Sequence, residues 1–119
     1  MDFERTPLQD VLVVTPRVFG DERGFFMETW NDSSFKDAGL NASFVQDNHS
    51  RSSRAILRGM HYQTQQTQGK LVRVSAGEVF DVVVDLRRSS PTLGQWFAIL
   101  LNANNNKMLW IPPGFAHGF

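Results

Sequence analysis

The sequence contains no cysteine, which excludes disulfide bonds, thiol nucleophiles and zinc–thiolate centres. It also has no net charge, because twelve basic and twelve acidic residues balance. A basic bias of the kind that binds nucleic acid or an anionic membrane is therefore missing. No apolar run approaches the roughly 20 residues that span a bilayer, and the first residues do not resemble a signal peptide. These absences predict a cytoplasmic protein with neither a nucleic-acid nor a membrane partner.

Helix signals are also scarce. One or two helical turns are predicted over residues 33–39, with a serine at the start and Gly39 at the end. The 119 residues suit one domain, residues 1–119. Apolar and aromatic runs between turn residues predict strands elsewhere. These predicted strands cover residues 11–14, 24–30, 44–48, 56–63, 70–75, 79–86, 96–101 and 108–111.

Turn residues predict two hairpins, one joining residues 70–75 to 79–86 and one joining 96–101 to 108–111. In the strand at 79–86, the apolar residues of one parity predict the buried face, and Asp81 and Asp85 fall on the other. Those apolar residues are Phe80, Val82, Val84 and Leu86. Many short strands between turns indicate an all-β sandwich, jelly roll or barrel, and small barrels often enclose a ligand cavity.

Three histidines are the first candidates for chemistry. His117 ends a P-x-G-x-x-H pattern, Pro112 to His117, which resembles the second motif of the cupin superfamily of β-barrels. Metal-binding cupins also carry an H-x-H pair and a glutamate in their first motif. The corresponding stretch here, residues 59–63, has His61 alone. Two histidines without a third clear ligand make a poor transition-metal site, so a metal-free barrel is expected.

His61 lies in "ILRGMHYQ", residues 56–63, and taken alone it would be an ordinary hydrogen-bonded histidine. Its polar neighbours favour a site. Lys70 shares parity with Val72 and Val74, so its ammonium is expected to point where apolar side chains point. A buried charge is costly unless it is paired or used. A lysine that snorkels from a strand end explains the same spacing equally well.

Parity creates a problem for Arg58 and His61, because residues three apart on a regular strand face opposite sides. If both reach one cavity, the strand must be irregular, and Gly59 is well placed for a bulge or a close backbone approach. Two other polar sets share parity and could bind one ligand, or could simply face solvent. They are Gln46 with Asn48, and Phe26 with Glu28.

Several blocks in order resemble the dTDP-4-dehydrorhamnose 3,5-epimerase family along nearly the whole chain. They are "GDERGFFMETWN" (20–31), "FVQDNHSRS" (44–52), "ILRGMHYQ" (56–63), "GKLVRVSAGEVFDVVVDLRRSSPTLGQW" (69–96) and "IPPGFAHGF" (111–119). The resemblance implies a cupin-type double-stranded β-helix, a homodimer whose N-terminal segment reaches the neighbouring subunit, and no cofactor. It also implies inversion of C3 and C5 of dTDP-4-dehydro-6-deoxy-D-glucose, in the synthesis of dTDP-L-rhamnose for cell-surface polysaccharide.

The resemblance also implies residue roles. His61 matches the family's general base, and Lys70 matches the cation near the C4 oxygen. Other positions match residues that line the nucleotide-sugar site, with Arg23 and Arg58 suited to diphosphate. The lining positions are Arg23, Phe26, Glu28, Gln46, Asn48, Arg58 and His117.

The chain departs from the family beyond His117, where the family carries a tyrosine proton donor and an aspartate that pairs with the catalytic histidine. The only tyrosine here, Tyr62, is not at the donor's place. The second acid and several barrel strands are therefore expected to be absent from this chain, as in a fragment or a degenerate relative. Three alternatives to the 3,5-epimerase stay open: a non-catalytic nucleotide-sugar-binding module, a truncated inactive relative, and a sister 3- or 5-epimerase or isomerase.

Overall fold

The structure is a computed structural model that describes residues 1–119, and antiparallel β-strands dominate it, as the sequence predicts. One short helix, α1 (Asp32–Asp37), interrupts the strands, and no helix is long and apolar enough to cross a membrane. The strands are β1 (Asp2–Arg5), β2 (Leu12–Thr15), β3 (Val18–Asp21), β4 (Gly24–Met27), β5 (Lys70–Arg73), β6 (Glu78–Asp85), β7 (Trp96–Asn102), β8 (Met108–Ile111) and β9 (Phe115–Gly118).

The strands form two sheets and a separate hairpin. One sheet has the order β1-β2-β8-β5, and the other has the order β7-β6-β9. β3 and β4 pair only with each other. The main core lies between the two sheets, and apolar residues from both of them fill it. Its buried members are Leu8, Val11, Val13, Val83, Leu101, Leu109, Ile111 and Phe115.

The four-stranded sheet is apolar on both faces. Val13 and Leu109 pair across β2 and β8 and face the main core, whereas Val14 and Met108 turn to the opposite face. There α1 covers the sheet and inserts the fully buried Phe35. Asn31 caps α1 by accepting a hydrogen bond from the Ser34 amide at 3.1 Å. The predicted helix is confirmed, but it starts one residue earlier and ends two residues earlier than predicted. The predicted serine cap is wrong, because Asn31 caps the start, and the C-cap is Ala38.

Both predicted hairpins are wrong. β5 pairs with β8, while β6 pairs with β7 and β9, so the turn around Gly77 carries the chain from one sheet to the other. The turn between β7 and β8 makes the same crossing. The two turns adjoin, since the Ala103 amide donates to the Gly77 carbonyl at 3.1 Å. Turn residues show that the chain reverses, but they do not show which sheet it joins.

The predicted orientation of β6 is also wrong. The alternation is present, but Asp81, Val83 and Asp85 are buried, whereas Phe80 is 61% exposed. Apolar residues occupy both parities of this strand, so its sequence does not determine the inner face. Partners elsewhere in the chain make the burial of two carboxylates possible.

Asp85 is held by a network at the end of β6. Arg87 Nε and Nη2 donate to its two carboxylate oxygens at 3.0 and 2.9 Å, and the hydroxyls of Ser90 and Thr92 donate at 2.5 and 2.7 Å. Burial alone would raise the pKa of Asp85. The hydrogen bonds outweigh burial and hold this pKa well below its ordinary value of 3.8. Arg87 also lies 4.7 Å above the Phe115 ring, so the network fixes the start of β9.

Residues 41–69 form no strand apart from an isolated bridge at His61. The strands predicted at 44–48 and 56–63 are therefore wrong. The second of these segments still meets β9 at two points, because the amides of Arg58 and His61 donate to the carbonyls of Phe119 and His117. The stretch thus lies along the β9 edge without forming a continuous ladder.

Candidate active site

A bulge brings Arg58 and His61 to one face. Arg58 exchanges two backbone hydrogen bonds with Phe119, at 2.7 and 2.8 Å, and His61 exchanges two with His117, both at 2.9 Å. Two residues, Gly59 and Met60, therefore oppose Gly118 alone, which is the pattern of a β-bulge. Directly opposed residues point to the same face, and so do residues 117 and 119. The irregularity predicted at Gly59 is confirmed.

Gly59 permits this geometry because the backbones approach closely. A Cβ on Gly59 would lie 2.6 Å from the Gly118 Cα and 3.0 Å from the His117 carbonyl oxygen. The φ angle of Gly59 is +129°, which other residues rarely adopt. A Cβ on Gly118 would lie 2.9 Å from the Arg58 carbonyl oxygen. The glycines thus let the His61 segment pack directly against β9.

His117 makes the closest side-chain contact in this region. Its Nε2 lies 3.0 and 2.9 Å from the two carboxylate oxygens of Asp81, which is fully buried. The pair forms because β9 and β6 are neighbours, with His117 opposite Val83. Asp81 is absent from the predicted site because the alternation along residues 79–86 places this carboxylate on the outer face. A carboxylate among apolar residues of both parities was the available signal.

Lys70 opens β5 opposite Ile111 and is half-buried. Val72 and Val74, which share its parity, pack against the core between the sheets. Lys70 itself forms neither a salt bridge nor a side-chain hydrogen bond. The structure therefore agrees with the inward parity and leaves the ammonium unpaired.

Arg58, Gln46 and Asn48 lie on the extended segment and are exposed. Arg58 donates from Nε to the Ser52 hydroxyl at 3.0 Å and from Nη2 to the Arg51 carbonyl at 3.2 Å. Gln46 donates to the Asn48 side-chain oxygen at 3.0 Å. Gln46 and Asn48 thus lie together, as their parity suggested, but neither contacts His61 through a hydrogen bond.

Arg23, Phe26 and Glu28 belong to the separate hairpin or follow it. Arg23 pairs with Asp21 in the tight turn, and Phe26 is 69% exposed. Glu28 accepts a hydrogen bond from Asn31 at 3.2 Å. Phe26 lines an open cleft of about 340 Å³ between the hairpin and the end of β5, beside Arg73 and Val74. No other predicted site residue lines this cleft, so the structure does not bring the hairpin residues to His61.

The chemistry available at the bulge is that of bases and cations. His61 is exposed, and its backbone is paired to that of His117. His117 and Arg58 share its face, and an imidazole can exchange protons near neutral pH. No group of three or more His, Asp or Glu side chains could hold a metal ion. The arrangement places two imidazoles and a guanidinium on one face of the segment.

Comparison with known proteins agrees with this interpretation. The sequence profile of the dTDP-4-dehydrorhamnose 3,5-epimerase family matches residues 5–119. The enzyme of that name from Pseudomonas aeruginosa is 60% identical over the whole chain, and its Shigella flexneri counterpart is 57% identical. This chain spans 66% and 67% of the length of these two relatives.

Solved structures show the same fold. A dTDP-6-deoxy-D-glucose-3,5-epimerase from Legionella pneumophila, in complex with dTDP-4-keto-L-rhamnose, superimposes with a TM-score of 0.95 and 51% identity. The match covers 99% of this chain and 63% of that one. A 3'-monoepimerase from Streptomyces bikiniensis, in complex with dTDP-quinovose, gives 0.88 at 31% identity and covers 96% of this chain and 59% of its own. The expected all-β, cupin-type architecture is confirmed. The chain belongs to the dTDP-4-dehydrorhamnose 3,5-epimerase family.

Proposed function

We propose that this chain carries the base of a 3,5-epimerase acting on dTDP-4-dehydro-6-deoxy-D-glucose, in dTDP-L-rhamnose synthesis. C3 and C5 of this sugar flank the C4 ketone, so removal of either proton gives an enolate. The reaction needs a base, a donor at the C4 oxygen, and an acid on the opposite face of the ring.

Roles for the residues follow from their chemistry. His61 abstracts the proton, since an exposed imidazole is an effective base near neutral pH. Lys70 stabilises negative charge on the C4 oxygen, which gives its unpaired ammonium a use. Arg58 and Arg23 bind the diphosphate. Phe26, Glu28, Gln46, Asn48 and His117 complete the binding site. No cofactor takes part in this scheme.

The observation that carries the proposal is the bulge at Gly59. It turns Arg58 and His61 to the face that also holds His117. A regular strand would separate Arg58 from His61. A base on the same face as a guanidinium suits abstraction from a nucleotide-linked sugar, because guanidinium groups bind diphosphate oxygens. Family membership supports this assignment.

Deuterium exchange tests the proposal. Incubated with the substrate in D₂O, the chain should introduce deuterium at C3 and C5, as followed by NMR. His61→Ala should slow this exchange by about 10²–10⁴-fold, the usual contribution of a general base. His49→Ala is the matched control, because His49 is an exposed histidine outside the bulge. Unchanged exchange in His61→Ala would rule out His61 as the base.

A monoepimerase is the second candidate, because the chain also superimposes on a 3'-monoepimerase with a TM-score of 0.88. The same NMR experiment separates the two activities. Deuterium at C3 alone, or at C5 alone, indicates a monoepimerase. Calorimetric binding of dTDP-sugar without exchange at either carbon indicates a binding module or an inactive relative.

We further propose a homodimer in which the N-terminal hairpin contributes to the partner's site. Phe19, Phe25 and Phe26 on this hairpin are more than half exposed. The outer face of β6 and β7 adds Phe80, Trp96 and Leu100, each at least 46% exposed. Apolar surfaces of this kind mark protein–protein contacts. A contribution in trans would also reconcile the site roles of Arg23, Phe26 and Glu28 with their distance from the bulge.

Subunit complementation tests the dimer. Phe26→Ala and His61→Ala are each expected to be inactive, whereas a mixture that has exchanged subunits should recover about a quarter of wild-type turnover, because half of the dimers are mixed and each carries one intact site. Light scattering supplies the oligomeric state. A monomer, or a mixture without recovery, contradicts the shared site. The cytoplasmic location expected from the sequence stays a prediction.

A further inference from the structure

The His117 ring is anchored from one side only. On the buried side, Nε2 contacts both oxygens of Asp81, at 3.0 and 2.9 Å. The side chain of His117 is 10% exposed and that of Asp81 is fully buried. The centroid of the Phe119 ring lies 5.7 Å from that of the imidazole. Nε2 of this histidine is therefore held against the buried carboxylate of Asp81 on β6.

The other nitrogen is open. Nδ1 of His117 forms no hydrogen bond. The His117 side chain is not completely buried, because 10% of it stays exposed. An ionised carboxylate only accepts hydrogen bonds, so the Asp81 contact requires a proton on Nε2. His117 lies on the same face as Arg58 and His61, as the backbone pairing shows.

We propose that Asp81 is a positioning residue of the active site. It holds the proton of His117 on Nε2 and thereby makes Nδ1 the atom that meets the nucleotide-sugar ligand. Nδ1 accepts a hydrogen bond from a ligand hydroxyl when the ring is neutral and donates to a ligand oxygen when the ring is protonated. The ligand contact rests on the proposed function, whereas the position of the proton does not.

A purely structural role for Asp81 makes a different prediction. A buried pair that only stabilises the fold would affect unfolding but would not alter how Nδ1 engages a ligand. In the proposed role, replacement of the carboxylate changes the tautomer. The amide of Asp81→Asn has the same size and can donate to Nε2, which favours a proton on Nδ1 instead. In the neutral ring, Nδ1 then donates a hydrogen bond and can no longer accept one from a ligand hydroxyl.

Nitrogen-15 NMR of the histidine rings tests the position of the proton without any turnover. The chain has three histidines, so the spectrum is simple. In the unmodified chain, His117 should carry its proton on Nε2. Asp81→Asn should transfer population to the Nδ1–H tautomer, whereas Glu78→Gln should not. Glu78 is an exposed carboxylate on the same strand and does not contact His117.

Binding and kinetics test the consequence. Asp81→Asn should bind dTDP-sugar about tenfold more weakly, the effect of losing one hydrogen bond. The KM should rise more than kcat falls, because the contact exists before the chemical step. An unaltered tautomer together with an affinity within twofold of the unmodified chain would overturn the proposal. A different result is a changed tautomer in Asp81→Asn while neither the unmodified chain nor any variant exchanges deuterium. That result would support the position of the proton and would refute the epimerase function.

A measurement on the unmodified chain covers the case in which Asp81→Asn does not fold. Titration with dTDP-sugar should move the Nδ1 resonance of His117 more than the Nε2 resonance. A larger change at Nε2 would show that the ligand displaces Asp81 and would overturn the proposal.

Discussion

Asp81 and Asp85 lie on the same strand, face the same side and are fully buried, yet their surroundings differ. Asp85 receives hydrogen bonds from Arg87, Ser90 and Thr92, all within seven residues of it. Asp81 receives its side-chain hydrogen bonds from one residue, His117, which is 36 positions away. Asp85, whose donors are all local, holds the backbone around the end of β6. Asp81, which is bound only to the imidazole of His117, also determines in the proposed role which nitrogen of that ring faces the ligand.

The largest expected effect is the loss of the Asp85 carboxylate. Asp85→Ala leaves Arg87 without its main partner, and breaking a buried ion pair costs about 3–5 kcal/mol. The free energy of unfolding, measured with urea, should fall by that amount. Asp81→Ala should cost less, about 1–3 kcal/mol, because it removes hydrogen bonds to one partner.

Asp10→Asn controls for the outer part of the same network. Asp10 also binds Arg87, at 2.8 Å, but its side chain is 55% exposed. Asparagine tolerates the positive φ of 70° at this position. The change should cost at most about 1 kcal/mol. Equal losses for Asp81→Ala and Asp85→Ala would remove the distinction between the two carboxylates.

The second prediction disturbs the site and leaves both aspartates unaltered. Gly59→Ala places a Cβ 2.6 Å from Gly118, so the His61 segment must shift away from β9. Displacement of a catalytic group by about 1 Å can cost 10²-fold, and deuterium exchange should fall by this order. Gly77→Ala is the matched control, since Gly77 also has a positive φ but has no atom within 4 Å of its Cβ position. It should lower stability and leave exchange unchanged.

The third prediction concerns acid. Because the pKa of Asp85 is lower in the folded chain than its ordinary value of 3.8, the unfolded chain takes up this proton first as the pH falls. The stabilisation is complete above about pH 4 and is lost progressively below it. The free energy of unfolding, measured with urea in buffers from about pH 5 to about pH 2.5, should show this decline. In Asp85→Asn the free energy of unfolding should depend less on pH. An identical slope in the variant would assign the acid sensitivity to other groups.

The smallest expected effect is at the hairpin turn. Hydrogen bonds from Arg23 also lower the pKa of Asp21, but this ion pair lies in solvent. Surface pairs contribute little because water and salt screen them. Asp21→Asn should leave the thermal unfolding midpoint unchanged within experimental error. A clear decrease would show that the hydrogen bonds of Asp21 stabilise the turn more than their exposure to solvent predicts.

Much of the fold was predictable, since local patterns determine strands and the helix. The apolar runs at β2, β6, β7 and β8 and the capped segment at α1 were identified with small errors at the ends. Strand pairing was not predictable. The turns at Gly77 and after β7 have the residues of hairpins, but each crosses between sheets. The pairing partner depends on which distant strand completes the core.

For the candidate site, sequence indicated the residues but could not assemble them. The spacing of Arg58 and His61 shows that a regular strand would place them on opposite faces, and Gly59 between them indicates where a bulge could bring them to one face. Asp81 was missed because both parities of β6 are apolar, and its histidine partner joins it only through the β6–β9 pairing. Arg23 and Phe26 on the hairpin, and Glu28 directly after it, form no hydrogen bond with Arg58, His61 or His117 within one chain.

The sequence by itself determined that the protein is all-β, that it carries two histidines and a lysine suited to proton transfer, and that a glycine interrupts the segment before His61. These properties depend on residue type and short-range spacing. Only the tertiary structure decided that Asp81 and Asp85 are buried and that Gly59 and Met60 oppose a single residue. A carboxylate is buried only where donors reach it. The donors of Asp85 lie in the loop that follows its own strand, whereas the donor of Asp81, His117, lies on β9 and reaches it only when β9 pairs with β6.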